Sequence, residues 1–140
     1  MYAIGRTADT DPFGLARAMY YLEDTLWITE GEFDAIALDY CMQLVGNKKG
    51  YAVISLTAGG GSMEKNLDYI ETRIKKKIKY LVLVLDEDEV GKIAEEAARE
   101  LWGDKVIVIP KPKGSKDAND AVKANQAVEM GKLALNFTRT

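Results

Sequence analysis

The sequence contains no histidine and a single cysteine, Cys41. The lack of histidine excludes a Ser-His-Asp triad, a Cys-His pair and every metal site built on imidazole ligands. A single cysteine excludes an internal disulfide and a thiolate zinc cluster. Any metal held by this chain must therefore have oxygen ligands, and oxygen ligands favour Mg²⁺ or Mn²⁺.

Long apolar runs are also lacking. No segment is long enough to span a bilayer, and the chain does not begin with the basic and then apolar pattern of a secretory signal. We therefore expect a cytoplasmic protein that does not bind membranes. The net charge of −3 gives no overall indication of nucleic-acid binding, so any such contact must depend on local basic patches.

Strand-like and helix-like patterns alternate along the 140 residues. Apolar runs predict strands at residues 26–29, 52–56, 80–85 and 106–109. Apolar residues at helical spacing predict helices at about 33–44, 63–77 and 90–102, and a mostly helical segment at 118–135. This alternation predicts an α/β fold in which a four-stranded parallel sheet carries helices on both faces.

The first residues of the chain are less regular than the rest. Residues 2–11 show no clear period, and residues 13–22 have the composition of a short helix that packs on the sheet. We expect residues 1–24 to form an amino-terminal arm or short helix, and residues 25–140 to form the main domain. The glycines at 59–61 are equally compatible with close approach to a phosphate and with a simple flexible loop.

Carboxylates follow two of the predicted strands. Glu30 comes after the first strand, and Asp34 lies four residues later on the same helix face. Asp86 ends the third strand, and Asp88 follows closely. Taken singly, each is explained as a helix cap or by the helix dipole. Parallel sheets bind ligands at the carboxyl ends of their strands. The presence of carboxylates at two of these ends therefore favours a site for a hard divalent cation.

The segment after the fourth predicted strand is expected to lie beside the same edge. Asp117 and Asn119 add polar groups there. Lys111, Lys113 and Lys116 precede or adjoin them, and lysines that face a metal site are suited to binding phosphate or nucleic acid.

Three short motifs carry a family resemblance. Residues 30–35 (Glu-Gly-Glu-Phe-Asp-Ala) match the Glu-Gly-x-x-Asp-Ala motif of TOPRIM domains, and residues 86–91 match their Asp-x-Asp-x-x-Gly motif. Residues 116–120 are similar to the Lys-Asp-Ala-Asn segment of phage-type primase–helicases. The ordered set, from residue 26 to about 123, resembles a TOPRIM domain of the primase type, as in bacterial replicative primases and phage primase–helicases.

The resemblance implies a Rossmann-like TOPRIM sheet and Mg²⁺-dependent nucleotidyl transfer on nucleic acid in replication, with a DNA template and nucleoside triphosphates as partners. It implies that Glu30 and Asp34 are catalytic and that Glu30, Asp86 and Asp88 hold the metal. Glu30 is the candidate general base, or a ligand that orients the base. Asp117 matches a further acidic position of the primase site.

The same family joins this domain to zinc-binding and helicase modules. This chain has one cysteine and no Gly-x-x-x-x-Gly-Lys-Ser/Thr loop, so we expect an isolated domain or a protein that needs such partners. Three alternatives stay open. One is a TOPRIM nuclease, and another is a non-catalytic metal-binding module that positions nucleic acid or a partner. The third is a haloacid-dehalogenase-type phosphatase, which residues 80–90 fit locally although its Asp-x-Asp motif belongs near the start of its domain.

Overall fold

Four parallel strands form the central sheet of the computed structural model, which describes residues 12–57, 62–74 and 78–137. The strands are β1 (Thr25–Thr29), β2 (Val53–Ser55), β3 (Tyr80–Val84) and β4 (Val106–Val108). Their order in the sheet is β2-β1-β3-β4, and each neighbouring pair is parallel. The predicted four-stranded parallel sheet is therefore confirmed.

The helices of the described residues cover both faces of this sheet. They are α1 (Leu15–Tyr21), α2 (Glu32–Val45), α3 (Met63–Arg73), α4 (Glu89–Trp102), α5 (Ala118–Lys123) and α6 (Ala127–Leu135). Helices α1, α3 and α4 share one hydrophobic core with the sheet, and α2, α5 and α6 share the other. The predicted helices on both faces are confirmed.

The central strand β3 is continuously apolar because it is covered on both faces. Leu81 and Leu83 belong to the core on the α3 side, whereas Val82 and Val84 belong to the core on the α2 side. Because successive side chains of a strand point to opposite faces, a strand covered on both faces needs apolar residues at every position.

Two helical segments differ from their predicted extents. Helix α3 ends at Arg73 because Ile74 is extended, with φ −94° and ψ 116°. The segment predicted as mostly helical from 118 to 135 is divided into α5 and α6, and between them Asn125 has φ 63°. Asparagine is among the few residues that adopt this left-handed conformation readily, and a single such residue ends a helix.

The short helix expected within residues 13–22 is present as α1, and its Leu15 and Ala18 pack into the core on that face. Three predicted features lie outside the described residues: residues 2–11, the glycines at 59–61, and residues 75–77 at the end of the helix predicted at 63–77. Within the described ranges, no helix is both long enough and apolar enough to cross a membrane.

Candidate functional site

The carboxyl ends of β1 and β3 lie side by side in the middle of the sheet. The chain places β2 on one side of β1 and β3 on the other, so the direction of winding reverses between β1 and β3. Open parallel sheets bind ligands in the crevice at such a reversal. Glu30 directly follows β1, and Asp86 lies two residues beyond the end of β3.

Glu30 joins the ends of these two strands. Its Oε2 accepts a hydrogen bond from the backbone N–H of Asp86 at 2.6 Å. Burial raises the pKa of Glu30, and the negative charges of Asp86 and Asp88 raise it further, while the bond from the Asp86 amide and the charge of Lys111 oppose the shift. The Glu30 carboxylate is thus held in one orientation, and it binds protons more readily than an exposed glutamate.

Three other carboxylates meet beside this bond. Asp34 comes from the first turn of α2, Asp86 follows β3, and Asp117 immediately precedes α5. Each offers a carboxylate oxygen, and these oxygens all lie within 4.8 Å of one another. We call Asp34, Asp86 and Asp117 the central carboxylates. All three residues are partly buried.

Burial and mutual repulsion disfavour negative charge on this cluster. Burial, followed by the charge of Asp117, raises the pKa of Asp34 to about 7, although the backbone N–H of Asn119 donates to Asp34 Oδ1 at 3.2 Å and favours the anion. Burial and the charges of Asp117 and Asp88 also raise the pKa of Asp86. A cation between the carboxylates would offset this repulsion. Clustered carboxylate oxygens are the ligands that Mg²⁺ and Mn²⁺ prefer, so the residues present fit such an ion.

Asp88 has a structural contact of its own. It is the N-cap residue of α4, and its Oδ1 accepts a hydrogen bond from the backbone N–H of Gly91 at 2.8 Å. A Cβ on Gly91 would lie only 2.0 Å from the carbonyl oxygen of Asp86, so only glycine allows the helix to start this close to the strand. Asp117 likewise caps α5 by accepting from the Asp120 N–H at 2.8 Å.

The three predicted phosphate-binding lysines have different surroundings. The Lys111 side chain is 3% exposed, its Nζ donates to the carbonyl oxygen of Leu85, and it lies 3.8 Å from Glu87 Oε1. Lys111 therefore places its positive charge beneath the acidic edge. Lys113 and Lys116 are exposed. A cleft of about 540 Å³ opens here, and it is lined by Asp86, Glu87, Asp88, Gly114, Ser115 and Lys116.

The structure thus groups the predicted site residues in a particular way. Asp34, Asp86 and Asp117 converge, and Glu30 and Asp88 lie beside them; of these five carboxylates, all but Asp86 accept a hydrogen bond from a backbone amide of the described residues. The metal set Glu30, Asp86 and Asp88 stays a prediction. From the sequence, Asp34 and Asp117 were expected only close to the metal, whereas in the structure both have a carboxylate oxygen within 4.8 Å of one from Asp86. The contribution of Asn119 through its backbone N–H, and the Leu85 carbonyl that holds Lys111, have no side-chain pattern that could have predicted them.

A family model described as Toprim-like matches residues 27–122, which is more than half of the chain. The chain belongs to the Toprim-like family. All of the carboxylates described above lie within the matched range. The predicted TOPRIM fold is therefore confirmed. No curated protein matches the chain in sequence.

Two solved structures show which Toprim-like proteins the domain resembles. The primase fragment of the Bacteriophage T7 primase-helicase protein is 25% identical with a TM-score of 0.64, and the match covers 79% of this chain and 43% of that one. A chain in the structure of bacteriophage T7 lagging-strand DNA polymerase interacting with primase domains of two gp4 subunits, bound to an RNA/DNA hybrid and dTTP, is 27% identical with a TM-score of 0.65. That match covers 84% of this chain and 56% of the other. The Toprim-like domain is therefore of the primase type, and it spans about half the length of these relatives.

Proposed function

We propose that this Toprim-like domain supports nucleotidyl transfer of the primase type on nucleic acid, and that the reaction depends on Mg²⁺ or Mn²⁺. The observation that carries the proposal is the convergence of Asp34, Asp86 and Asp117 at the strand ends beside Glu30. Nucleotidyl transfer demands neutralised phosphates and an aligned hydroxyl nucleophile, and this edge supplies a cation-binding cluster next to a proton acceptor.

In this proposal Asp86 is the principal metal ligand, because it belongs both to the central carboxylates and to the set predicted from the family motif. Asp34 at the start of α2 and Asp117 at the start of α5 are further ligands of the same ion, and Asp88 adds a negative charge nearby that attracts it. When bound, the ion would neutralise charge on the triphosphate and polarise its phosphorus–oxygen bonds. Asp34 also acts in catalysis by fixing the position of the ion through its bond from the Asn119 N–H.

Glu30 is the proposed general base for the attacking hydroxyl. A base works best when its pKa lies near the working pH, and burial raises the pKa of Glu30 in that direction. Its hydrogen bond from the Asp86 N–H fixes the carboxylate relative to the metal ligands, so the proton acceptor and the cation site are positioned together. The alternative role, a ligand that orients a base, predicts a different outcome in the test below.

Positive charge for the substrate comes from the loop after β4. Lys113 and Lys116 are exposed, so we assign them contacts with the triphosphate or the nucleic-acid backbone. Lys111 is buried beneath the site, and its positive charge partly offsets the upward shift in the pKa of Asp86. Asn119 completes the polar surroundings of Asp34.

The proposed partners are a DNA template, nucleoside triphosphates and separate zinc-binding or helicase modules. Two findings support the nucleic-acid, nucleotide and helicase partners: one related structure holds primase domains bound to an RNA/DNA hybrid and dTTP, and the other relative is a primase-helicase. Because this chain spans about half of such proteins, the test joins the domain to modules that supply template binding.

The experiment is template-dependent incorporation of labelled nucleotides by this reconstituted protein in Mg²⁺. Asp86→Asn should abolish incorporation. Asp104→Asn is the matched control, because Asp104 is an exposed carboxylate that precedes β4 and therefore lies at the opposite edge of the sheet. Metal-dependent cleavage of labelled RNA or DNA without incorporation would favour the nuclease alternative. Binding without either reaction would favour the non-catalytic module.

Calorimetry of cation binding separates the two ligand sets. The double variant Asp86→Asn/Asp88→Asn should abolish binding of Mg²⁺ or Mn²⁺, as the motif predicts. The double variant Asp34→Asn/Asp117→Asn should weaken binding as strongly if the central carboxylates hold the ion. Unchanged binding in both variants would show that the ion site lies elsewhere.

A further inference from the structure

The connection between β4 and α5 contributes to the cleft at the acidic edge. We call residues 110–117 of this connection the lysine loop. The cleft of about 540 Å³ is lined by residues 114–116 of the loop and by the acidic residues 86–88. Lys113 and Lys116 of the loop are exposed. How firmly the loop is held therefore determines where two positive charges stand relative to the carboxylates.

The side chain of Gln126 holds the tip of the lysine loop. Its Oε1 accepts a hydrogen bond from Ser115 Oγ, and its Nε2 donates to the Lys113 carbonyl oxygen at 3.0 Å. The two bonds flank Gly114, which has φ 91°. This left-handed conformation favours glycine and turns the chain sharply. Gln126 thus bonds to both sides of the turn, and it uses the acceptor and the donor of its carboxamide to do so.

Gln126 is itself fixed at the junction of α5 and α6, where it is the N-cap residue of α6. Its backbone N–H donates to the Ala121 carbonyl oxygen at 2.7 Å, and its carbonyl oxygen accepts from the Met130 N–H at 2.9 Å. Ala121 and Met130 are buried in the core on this face of the sheet. Because Gln126 is attached to the core, its side-chain bonds restrict the movement of the loop.

Two further contacts hold the ends of the lysine loop. Near its start, the buried Lys111 bonds beneath the acidic edge. Near its end, the Lys116 N–H donates to Asp120 Oδ2 at 3.3 Å. The tip, residues 112–115, lies between these two contacts, and Gln126 attaches this part of the loop to the domain.

We propose that Gln126 is a positioning residue for phosphate binding. By holding the tip of the lysine loop, it keeps Lys113 and Lys116 beside the cleft and so sets the affinity for the triphosphate of the substrate. This inference rests on the proposed function, which assigns contacts with phosphate to the two lysines. Lysines on an ordered loop lose less conformational freedom when they bind phosphate than lysines on a loose loop.

The bonds of Gln126 distinguish the triphosphate from the cation. Among the described residues, its hydrogen bonds run to the lysine loop and to the α5–α6 junction, whereas Asp34, Asp86 and Asp117 form the candidate cation site. Loss of the Gln126 side chain should therefore weaken the binding of triphosphate and leave the binding of Mg²⁺ alone unchanged. A role of Gln126 in folding alone predicts that both affinities fall together.

Limited trypsin digestion of the metal-free 140-residue chain measures whether Gln126 holds the loop. Trypsin cleaves after lysine except before proline, so the bond after Lys113 reports on the tip, whereas the bond between Lys111 and Pro112 is resistant. Gln126→Ala should raise the rate of cleavage after Lys113 by about fivefold or more, because cleavage follows the population of the open loop. Gln43→Ala is the matched control, since Gln43 is an exposed glutamine near the carboxyl end of α2, and it should digest like the wild type.

Calorimetry of the same chain measures the consequence for binding, with inorganic triphosphate and Mg²⁺ as the probe and Mg²⁺ alone as the reference. Gln126→Ala should weaken triphosphate binding by about three- to tenfold and leave Mg²⁺ binding unchanged. Gln43→Ala should bind both like the wild type.

Ser115→Ala tests the same contact from the loop side without a change in α6. It should weaken triphosphate binding by a smaller factor than Gln126→Ala, because the bond from Gln126 to the Lys113 carbonyl oxygen remains. The double variant Ser115→Ala/Gln126→Ala should bind triphosphate no more weakly than Gln126→Ala, since the bond between these side chains is already lost. Circular dichroism confirms folding, and if Gln126→Ala does not fold, the comparison of Ser115→Ala with the wild type decides.

Other results would overturn the inference. Unchanged digestion of Gln126→Ala would mean that the residue does not hold the loop. Faster digestion with unchanged triphosphate affinity would mean that the loop does not position the phosphate contacts, and equal losses of triphosphate and Mg²⁺ binding would make Gln126 structural. A wild-type chain that binds Mg²⁺ but no triphosphate would refute the proposed phosphate contacts and this inference with them. A failure confined to the Gln126 and Ser115 variants leaves the proposed function intact.

Discussion

The segments that follow β1 and β3 have similar sequences, but the carboxylate that enters the cluster comes from the helix in the first segment and from the strand end in the second. Residues 30–35 and residues 86–91 each contain a carboxylate after the strand, a glycine and a second carboxylate near the start of a helix. After β1, the strand-end Glu30 bonds to a backbone amide and the helical Asp34 enters the cluster. After β3, the strand-end Asp86 enters the cluster and Asp88 caps the helix.

Side-chain length and position explain why different carboxylates of the two segments enter the cluster. Glutamate is one methylene longer than aspartate, so Glu30 can reach across to the amide of the neighbouring strand end. Asp88 stands at the N-cap of α4, where its oxygen satisfies an otherwise unpaired N–H. Asp34 stands inside the first turn of α2 and faces Asp117. Each motif thus contributes one of the central carboxylates, Asp34 or Asp86, and one carboxylate outside that cluster that bonds a backbone amide, Glu30 or Asp88.

The largest expected difference concerns catalysis. Glu30→Gln should reduce primer synthesis by about a hundredfold to ten-thousandfold, the usual cost of a lost general base, while magnesium affinity changes much less. Asp86→Asn should lose both primer synthesis and magnesium binding, because it removes a proposed metal ligand. Primer synthesis and calorimetry in the same reconstituted system measure the two effects. Equal losses in Glu30→Gln would make Glu30 a ligand instead of a base.

The next difference concerns the two motif glycines. Gly91→Ala should destabilise the domain by about 3 kcal/mol, because the new Cβ would meet a backbone oxygen at 2.0 Å. Gly31→Ala should cost about 1 kcal/mol or less, because its Cβ would meet only the Asp34 carboxylate, at 3.1 Å. Urea unfolding without metal measures both. Equal destabilisation would mean that the β1 segment is as tightly constrained as the β3 segment.

A smaller effect is expected in the pH dependence of stability. The pKa of Asp34 is raised from an ordinary 3.8 to about 7 in the fold, so its stabilising contribution is complete below about pH 4 and is lost as pH rises through 7. Asp34→Asn should therefore gain stability relative to the wild type over this range, by about 1–2 kcal/mol once screening of this half-exposed group is allowed for.

Metal-free urea unfolding at intervals between pH 4 and pH 8 follows this difference. Asp104→Asn should keep the wild-type profile, because Asp104 precedes β4 at the other edge of the sheet. Saturating magnesium should reduce the difference by neutralising the cluster in the folded state. A difference between wild type and Asp34→Asn that does not vary with pH would contradict the assigned role of Asp34.

The smallest effect distinguishes Asp86 from Glu30 in the metal-free domain. Asp86→Asn should stabilise it by about 0.5–1 kcal/mol at pH 7.5, because one repelling charge is removed. Glu30→Gln should stabilise it by less than Asp86→Asn does, because the weaker bond from the Asp86 amide to a neutral acceptor offsets part of the gain from removing a charge whose pKa is raised. Thermal melts compare the two, and a clear loss of stability in Asp86→Asn would make that residue structural.

The strands and the location of the site were predictable from sequence because they depend on local patterns. A continuous apolar run such as residues 80–85 indicates a strand covered on both faces, and the acidic residues that follow two such runs must lie at the ligand-binding edge of a parallel sheet. The helical break at Asn125 was not predictable, because both flanking segments have helical composition and asparagine does not always end a helix.

The amino-acid sequence by itself determined the order of the elements, the parallel sheet and the acidic edge, because each follows from the spacing of residues near one another in the chain. Only the tertiary structure decided which carboxylates converge, since Asp34 and Asn119 are 85 residues apart and meet only through the packing of α2 and α5. It also decided which side of α2 is buried, since both sides are apolar. Close contact with α6, where a Cβ on Gly131 would lie 2.2 Å from the Cys41 carbonyl oxygen, leaves room only for small or slender residues on the inner side, so the bulky Phe33 and Tyr40 lie on the outer side.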